Sequence, residues 1–443
     1  MHVSLLTSVL ALSAIVAALS GRSNGQDSNG KNGEESQSWK NKIKNVVVLV
    51  LENRSFDTFA GGLTYNDKID GLAHRKYCNP VNVTDPTDNT QICAADTALN
   101  VAPDDPNHSM SGGNMQVYGT LHPDNTTPAL MDGFVTEQLI VHNNRDFNTT
   151  AAVINYYTPE HIPVFNSMAE NFVLFDRWFA AVPGPTNPNR AYLTSGTSAG
   201  HGRNDASFDV HAQTQRSIFQ QLSENNITWT NYYNSSFAPD AMFYNWTVTS
   251  GNTVNVKKLN NEFWTDAANG TLPQFTYINP ECCSFDSFHP PSSMYDGEKF
   301  VKIIYEAIRN GPQWKDTLFI MTFDEHGGFA DHVVPPTNVP AGDSLNYTEK
   351  AVDGKYNTFD FTSLGIRVPT VIMSDWVPKG AIETHGRNNG RVYSHTSILG
   401  FVAKLWNLDN LTPRTAWSST FEDLILDEPR QDTPATLPEP VDY

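Results

Sequence analysis

The hydrophobic pattern of the chain alternates between short apolar runs and amphipathic segments. The clearest apolar run lies in 45–51, where valine and leucine occupy every position from Val46 to Leu51, as expected of a buried strand. Comparable runs predict further strands at 172–176, 227–233, 274–278, 317–323 and 368–373. The clearest helical pattern, 296–308, places its apolar residues on one face. This alternation predicts an α/β fold with a mostly parallel central sheet flanked by helices.

Two of the predicted strands end abruptly in oxygen-bearing side chains. Glu52 and Asn53 follow the strand at 45–51, and Asp324 and Glu325 follow the strand at 317–323. Ligands of open α/β sheets bind just outside the carboxyl ends of the strands. The pattern therefore predicts one divalent metal ion between two distant segments. Oxygen ligands suit calcium, magnesium or manganese, and zinc remains possible.

A proline-rich turn at 182–190 contains a candidate nucleophile. Its prolines and glycine prevent a helix before Thr186, and Pro188 suits the first turn of a helix beginning there. N–H groups at a helix N-terminus can hold a phosphate, and Arg190 one turn on could neutralise substrate oxygens. Taken alone, the pattern fits a simple Pro-Thr helix cap just as well.

Four motifs, in order, resemble the phosphoesterase family of the alkaline-phosphatase superfamily, which contains phospholipases C and acid phosphatases. They are Glu52-Asn53-Arg-Ser-Phe-Asp57, Pro185-Thr-Asn-Pro-Asn-Arg190, Ser195-Gly-Thr-Ser198 and Asp324-Glu-His-Gly-Gly-Phe-Ala-Asp-His332. The resemblance implies an alkaline-phosphatase-like three-layer fold. It also implies which residues hold the metal: Glu52, Asn53, Asp324 and Glu325, with Thr186 Oγ1 completing the ligand set.

The same resemblance implies a metal-assisted reaction at phosphorus. A threonine hydroxyl is a poor nucleophile at neutral pH, and a nearby cation stabilises its alkoxide. Thr186 would attack phosphorus, form a phosphothreonine and release an alcohol, and water would then hydrolyse the intermediate. Imidazoles could bind phosphate oxygens or move protons. The histidines expected around the phosphate are His108, His289, His326 and His332, with His395 as a further candidate.

The function predicted from these residues is a secreted, metal-dependent phosphoric ester hydrolase of the phospholipase C type. An acid phosphatase with broad specificity for monoesters is the alternative, and a non-catalytic glycoprotein that binds phosphorylated ligands is an alternative from another class. A sulfatase would need cysteine or serine in place of Thr186. The aromatic-rich segment 229–264 belongs either to the core or to a wall that grips an apolar group.

Net charge, the N-terminal segment and the glycosylation sequons indicate which partners and which cellular compartment to expect. The formal net charge of −19 argues against nucleic acid and against attachment to anionic membranes. Residues 1–20 read as a cleaved signal peptide, because their apolar run is short for a membrane span of ~20 residues. We therefore expect no stable membrane anchor, and N-glycans on a secreted protein. The candidate glycosylation sites are Asn82, Asn125, Asn148, Asn226, Asn234, Asn245, Asn269, Asn346 and Asn410.

The remaining expectations concern the limits of the domain. A flexible leader is expected at 21–42, a catalytic domain at 43–427 with irregular insertions near 64–130 and 229–264, and an extended tail at 428–443. The four cysteines are Cys78, Cys93, Cys282 and Cys283. In a secreted protein they favour disulfides, but the sequence leaves all three pairings open.

Overall fold

The computed structural model describes residues 39–143, 146–234, 237–280, 286–386 and 391–443. The predicted signal peptide and most of the predicted leader lie outside the described residues, as do Cys282 and Cys283. One compact unit spans Trp39–Tyr443. It begins before the predicted boundary at residue 43, because Trp39 is buried and its ring lies 5.2 Å from that of Phe401.

Fourteen strands occur in the described part of the chain. In chain order they are β1 (Asn45–Leu51), β2 (Cys78–Pro80), β3 (Gln91–Cys93), β4 (Val173–Phe175), β5 (Trp178–Phe179), β6 (Trp229–Tyr233), β7 (Val256–Lys258), β8 (Phe275–Asn279), β9 (Thr317–Phe323), β10 (Tyr347–Lys350), β11 (Tyr356–Phe359), β12 (Thr370–Met373), β13 (Ala381–Glu383) and β14 (Tyr393–Ser394). Eight of them form the central sheet, in the order β13-β4-β12-β9-β1-β8-β6-β7.

The central sheet is mostly parallel, as predicted. β1 pairs in parallel with both β8 and β9, and β6 pairs in parallel with β7 and β8. Only β12 runs antiparallel to its neighbours, β4 and β9. Every residue of β1 and β9 is buried, which explains why both strands read as continuous apolar runs.

Helices cover the sheet and complete the three layers. The α-helices of the described residues are α1 (Phe56–Phe59), α2 (Met110–Tyr118), α3 (Phe134–His142), α4 (Phe147–Ala151), α5 (Pro163–Asn171), α6 (Thr186–Ser195), α7 (Ala206–Asp209), α8 (Ile218–Glu224), α9 (Asn245–Thr249), α10 (Trp264–Asn269), α11 (Met294–Arg309), α12 (Thr396–Trp406) and α13 (Pro413–Trp417). Short 3₁₀ turns lie at Trp39–Asn41, Asp240–Phe243, Asn252–Asn255, Trp314–Asp316 and Glu422–Leu424, and a π-helical turn at Leu259–Phe263. One group of helices packs α6 against α8 and α12, and another packs α11 against α5 and α10.

The helix predicted at 296–308 begins two residues earlier than its apolar pattern. Ser293 is its N-cap, and the Ser293 side chain accepts a hydrogen bond from the Asp296 backbone N–H. Phe300, Ile304 and Ile308 are buried on one face, as the spacing predicts.

The two predicted insertions differ in kind. Segment 64–130 is largely irregular, and the Cys78–Cys93 disulfide joins β2 to β3. Segment 229–264 is not a separate insertion, because it supplies β6 and β7 to the central sheet. Five of its nine aromatic residues, among them Tyr232 and Phe263, are buried.

The tail at 428–443 contains no helix or strand, yet it is attached to α11. Lys302 Nζ donates to the Leu437 carbonyl at 2.8 Å, and Arg309 Nη2 donates to the Thr433 carbonyl at 2.9 Å. Leu437 itself is buried. Among the described residues, no helix combines the length and apolar character needed to cross a bilayer.

Candidate active site

A cavity of about 320 Å³ lies beyond the carboxyl ends of β1 and β8. Five of the predicted site residues line it: Glu52, His108, Thr186, Arg190 and His289. The remaining lining residues are Asp105, Asn187, Asn204, Asp209, Phe237, Ala238, Pro239, Asp240, Phe243, Asn279 and Pro280. Segments from both halves of the sequence therefore meet at one cavity, although Asn53, Asp324 and Glu325 are not among its lining residues.

The ends of β1 and β9 are joined directly. The Asn53 N–H donates to Asp324 Oδ1 at 3.3 Å, and the Arg54 N–H donates to the Glu325 carbonyl at 3.1 Å. Gly327 has a φ of 65°, and a Cβ there would lie 2.4 Å from the Asn53 carbonyl oxygen. Glycine at this position is therefore required by the close approach of the two loops.

Three buried oxygen atoms at this junction lack a hydrogen-bond partner among the described residues. They are Glu52 Oε2, Asn53 Oδ1 and Glu325 Oε1, and all three belong to predicted metal ligands. Asp324 differs from them, because its Oδ1 accepts from two backbone N–H groups and its Oδ2 from Arg190. Buried polar atoms normally have partners, so these oxygens fit a cation.

The carboxyl groups of Glu52, Asp324 and Glu325 are buried, and burial destabilises their negatively charged forms. Burial raises the pKa of Glu52 and Glu325 above their ordinary values. Burial, followed by the nearby Glu52 carboxylate, raises the pKa of Asp324 to about 7 although Arg190 opposes the shift. A cation that kept these carboxyls ionised would offset the repulsion among them.

Arg190 binds the carboxylates rather than reaching into open solvent. It is 3% exposed. Its Nη2 lies 2.8 Å from Glu52 Oε1, its Nε 3.0 Å from Asp324 Oδ2 and its Nη1 3.5 Å from Asp240 Oδ1. The prediction that Arg190 neutralises substrate oxygens therefore needs correction: most of its donors are occupied by protein carboxylates.

Thr186 is the first residue of α6 and lines the cavity. Asn189 fixes the turn before it, since Asn189 Nδ2 donates to the carbonyls of Val182, Gly184 and Pro185 and its Oδ1 accepts from the Val182 N–H. The helix offers fewer backbone donors to a phosphate than predicted. The Asn187 N–H donates to Asn204 Oδ1 at 2.7 Å, and Pro188 has no N–H.

His108 and His289 line the cavity in equivalent ways. His108 Nδ1 lies 2.8 Å from the Pro106 carbonyl, and His289 Nδ1 lies 2.6 Å from the Pro290 carbonyl. A carbonyl only accepts, so each Nδ1 carries a proton and each Nε2 remains available. His108 Nε2 lies 3.9 Å from Glu325 Oε1, and His289 Nε2 lies 3.7 Å from Asp105 Oδ2.

Comparison with known proteins identifies the family. The sequence profile described as the Phosphoesterase family matches residues 43–409. The chain belongs to the phosphoesterase family. It is therefore a hydrolase of phosphoric ester bonds, as predicted.

Curated relatives agree with this assignment. Non-specific phospholipase C6 of Arabidopsis thaliana is 37% identical over 418 residues, covering 91% of this chain and 76% of that protein. Non-specific phospholipase C1 of the same plant is 36% identical, covering 92% of this chain and 76% of that protein. The solved structure of an alkaline phosphatase superfamily protein from Vibrio parahaemolyticus is 10% identical with a TM-score of 0.38, covering 88% of this chain and 78% of that chain.

Two histidines of this phosphoesterase lie behind the cavity rather than in its wall. His395 Nδ1 accepts from the Trp178 indole N–H, so its protonated Nε2 donates to the Asp324 carbonyl at 2.6 Å. His326 Nε2 contacts Gln116 Oε1 at 2.9 Å. Burial lowers the pKa of His395 to about 4 and that of His326 to about 3. Both imidazoles are therefore neutral, and His395 supports the end of β9.

His332 lies in a separate ion-pair network and does not line the cavity. Its Nδ1 lies 2.6 Å from Asp57 Oδ2 and its Nε2 lies 3.0 Å from Asp70 Oδ1. Burial alone would lower the pKa of His332, but the hydrogen bonds to both carboxylates outweigh it and raise the pKa to about 9. The predicted contact of His332 with the phosphate is therefore not supported.

The same network contains a group that could hold a metal ion. Ligand atoms of Asp57, Asp331 and His332 lie within 4.8 Å of one another. Arg367 already supplies a cation there, since its Nη2 lies 2.8 Å from Asp57 Oδ1 and its Nε 2.9 Å from Asp331 Oδ1. Its carboxylates are therefore paired with protein cations, unlike the free oxygens at the ends of β1 and β9.

Several residues that line the cavity were not predicted from the sequence. Asp105 stands three positions before His108, which was the one local signal for it. Asn279 directly follows the strand predicted at 274–278, so the strand-end signal could have found it. Asp240 carried no recognisable signal, because it joins the site only through hydrogen bonds from Tyr277 and Asn279 of β8. Phe237 and Phe243 line the cavity, so the aromatic segment serves both the core and a wall.

Proposed function

We propose that this phosphoesterase is a metal-dependent phosphoric ester hydrolase with Thr186 as its nucleophile, acting in the manner of a phospholipase C. The supporting observation is the trio of unpartnered buried oxygens on Glu52, Asn53 and Glu325 beside the cavity that Thr186 lines. No other group of predicted ligands in the described residues offers three such atoms.

The proposed ligands are Glu52, Asn53, Asp324, Glu325 and Thr186. Bound there, a divalent ion supplies Lewis-acid stabilisation of negative charge. Arg190 holds Glu52 and Asp324 at fixed positions. The Thr186 hydroxyl attacks phosphorus, the P–O bond to the alcohol breaks, and a phosphothreonine remains. His108 or His289, with its Nε2 available, takes the proton of the Thr186 hydroxyl and gives it to the leaving alcohol oxygen. In the second step an Nε2 takes a proton from the water that hydrolyses the phosphothreonine and returns it to the Thr186 oxygen.

Substitution of the nucleophile tests this mechanism. We expect Thr186→Ala to lower kcat by about 10³-fold or more, because the covalent step is lost while the cavity remains. Thr265→Ala, on the exposed face of α10, is the matched control. Rapid-quench trapping of the phosphorylated enzyme, followed by peptide mass spectrometry, should find the phosphate on residue 186. Hydrolysis by Thr186→Ala at the wild-type rate would refute the assignment.

A phospholipid is the substrate that we propose. The relatives that cover most of the chain are named non-specific phospholipases C, and Phe237 and Phe243 give the cavity an apolar wall. Initial rates on phosphatidylcholine vesicles and on p-nitrophenyl phosphate, measured from pH 4 to pH 9, distinguish the two candidate substrates. A higher kcat/KM on the monoester at every pH would favour an acid phosphatase.

We also propose that the protein is secreted and glycosylated. Most sequon asparagines have exposed side chains, among them Asn125, Asn148, Asn226, Asn269 and Asn410, and the Cys78–Cys93 disulfide suits an oxidising compartment. Asn53 also begins an Asn-x-Ser sequence, Asn53-Arg-Ser, but it is fully buried and is expected to carry no glycan. Peptide mapping after enzymatic deglycosylation of the protein recovered from culture medium would test both points.

A further inference from the structure

The loop at 104–109 brings an unpredicted carboxylate, Asp105, against the proposed metal centre. Asp105 lines the cavity. Its Oδ1 accepts a hydrogen bond from Asn53 Nδ2 at 2.9 Å. The same side chain lies 3.8 Å from His108 Nδ1 and 3.7 Å from His289 Nε2. Asp105 therefore touches three residues of the candidate site.

The contact with Asn53 decides which end of that amide faces the ligands. The oxygen and nitrogen of an asparagine amide have nearly the same shape, but only the oxygen binds a cation. Because Asn53 Nδ2 donates to Asp105, Asn53 Oδ1 must point the other way, and it lacks a protein partner within the described residues. Asn53 also has a φ of 70°, so its backbone is held in an uncommon conformation.

The loop that carries Asp105 is held in place by buried side chains of α2 and α3. Gln138 Nε2 donates to Asp104 Oδ2 at 3.0 Å, and Gln116 Nε2 donates to the Asn107 carbonyl at 2.7 Å. His142 Nε2 lies 3.1 Å from the Asp105 carbonyl. Gln116 and Gln138 are each at most 2% exposed. The Asp105 carboxylate is thus presented by a fixed scaffold rather than by a free loop.

We propose that Asp105 is a positioning residue that orients the Asn53 amide, so that its oxygen and not its nitrogen faces the metal. This inference rests on the proposed metal-dependent function. Hydrogen-bond partners of metal ligands typically change metal affinity by 10- to 100-fold when they are removed. In Asp105→Ala the amide is free to turn, and its NH₂ group would face the carboxylates for part of the time.

Metal affinity is the direct test, measured without turnover. Equilibrium dialysis with elemental analysis gives the Kd for Mn²⁺, Ca²⁺, Mg²⁺ and Zn²⁺ separately. For the ion that binds wild type most tightly, we expect Asp105→Ala to raise Kd by about 10- to 100-fold. Asp105→Asn keeps an acceptor oxygen for Asn53 Nδ2, so it should recover a clear part of that loss.

Asp96→Ala is the matched control, because Asp96 is an exposed carboxylate of the same irregular segment and lies outside both the cavity wall and the loop at 104–109. Its Kd should remain at the wild-type value, and circular dichroism should show all variants folded. If Asp105→Ala bound the metal ion with the wild-type Kd, the inference about Asp105 would be overturned, but the proposed function would not. So would an Asp105→Asn variant as weak as Asp105→Ala, since charge rather than orientation would then matter. Failure of the wild type to bind any of the four ions would overturn the proposed function as well.

Discussion

At the scale of single residues, the site is organised by one arginine that faces three carboxylates. Arg190 contacts Glu52, Asp324 and Asp240 and donates to the Val50 carbonyl. The same residue was predicted to bind substrate. The difference arises because a buried guanidinium is stable only when its donors are paired, and here the pairs come from β1, β9 and the turn at 240–243.

Removal of that guanidinium should therefore affect stability first. We expect Arg190→Met to lower the free energy of unfolding by about 3–5 kcal/mol, since uncompensated carboxylates remain buried. Urea denaturation followed by tryptophan fluorescence measures the loss. Added divalent cation should raise the Tm of Arg190→Met more than that of wild type. An equal shift in both proteins would contradict the placement of the cation beside Glu52 and Asp324.

At the scale of elements, the turn that leads into α6 is stabilised by hydrogen bonds from a side chain of the helix. Asn189 satisfies three carbonyls and one N–H of the turn at 182–185. This arrangement leaves Thr186 at the cavity while Pro188 occupies the first turn. The proline pattern predicted where the helix begins, but the role of Asn189 depends on the folded turn.

Asn189→Asp tests that arrangement. The substitution keeps the acceptor for Val182 but replaces the donor with an oxygen that faces three carbonyls. Each unpaired buried polar group costs about 1–3 kcal/mol, so we expect a loss of stability of about 2 kcal/mol or more together with a lower kcat. Asn225→Asp, at the end of α8, is the control. Denaturation curves and initial rates that match wild type for Asn189→Asp would show that the turn does not need this side chain.

At the scale of the whole molecule, an ion-pair network joins four segments of the chain. Arg367 pairs with the carboxylates of Asp57 and Asp331 and donates to the carbonyls of Asp70 and Asp176. His332 pairs with the carboxylates of Asp57 and Asp70. The protonated imidazole of His332 belongs to this network rather than to the reaction. Its pKa, raised to about 9 in the folded state, therefore bears on stability.

The sign of the pH dependence follows from that shift. Between about pH 6.5 and 9 the folded protein keeps a proton on His332 that the unfolded chain has lost, so stability from this group is full below pH 6.5 and is lost as the pH rises through 9. We expect the free energy of unfolding to fall across this window in wild type. His332→Gln should flatten the fall, while the control His74→Gln, at an exposed position, should leave it as in wild type. If the free energy of unfolding of His332→Gln fell with pH as steeply as that of wild type, a group other than His332 would be responsible for the fall.

The sequence alone determined the fold class and the position of most candidate ligands. β1 and β9 are buried on both faces, so their residues are uniformly apolar and the pattern is unmistakable. Their carboxyl ends must meet at one edge of the sheet, which places Glu52, Asn53, Asp324 and Glu325 together. The short edge strands β7 and β13 were missed, because three-residue strands with partly exposed positions leave no periodic signal.

Only the tertiary structure decided which partner each polar group takes. His332 resembled a phosphate ligand by its motif, yet Asp57 and Asp70 hold it elsewhere. Asp105 carried almost no signal, yet it contacts Asn53 and two histidines. The periodicity of a chain records what is buried, because burial acts on each residue separately. Hydrogen bonds and ion pairs depend on two residues at once, and here those residues lie far apart in the sequence.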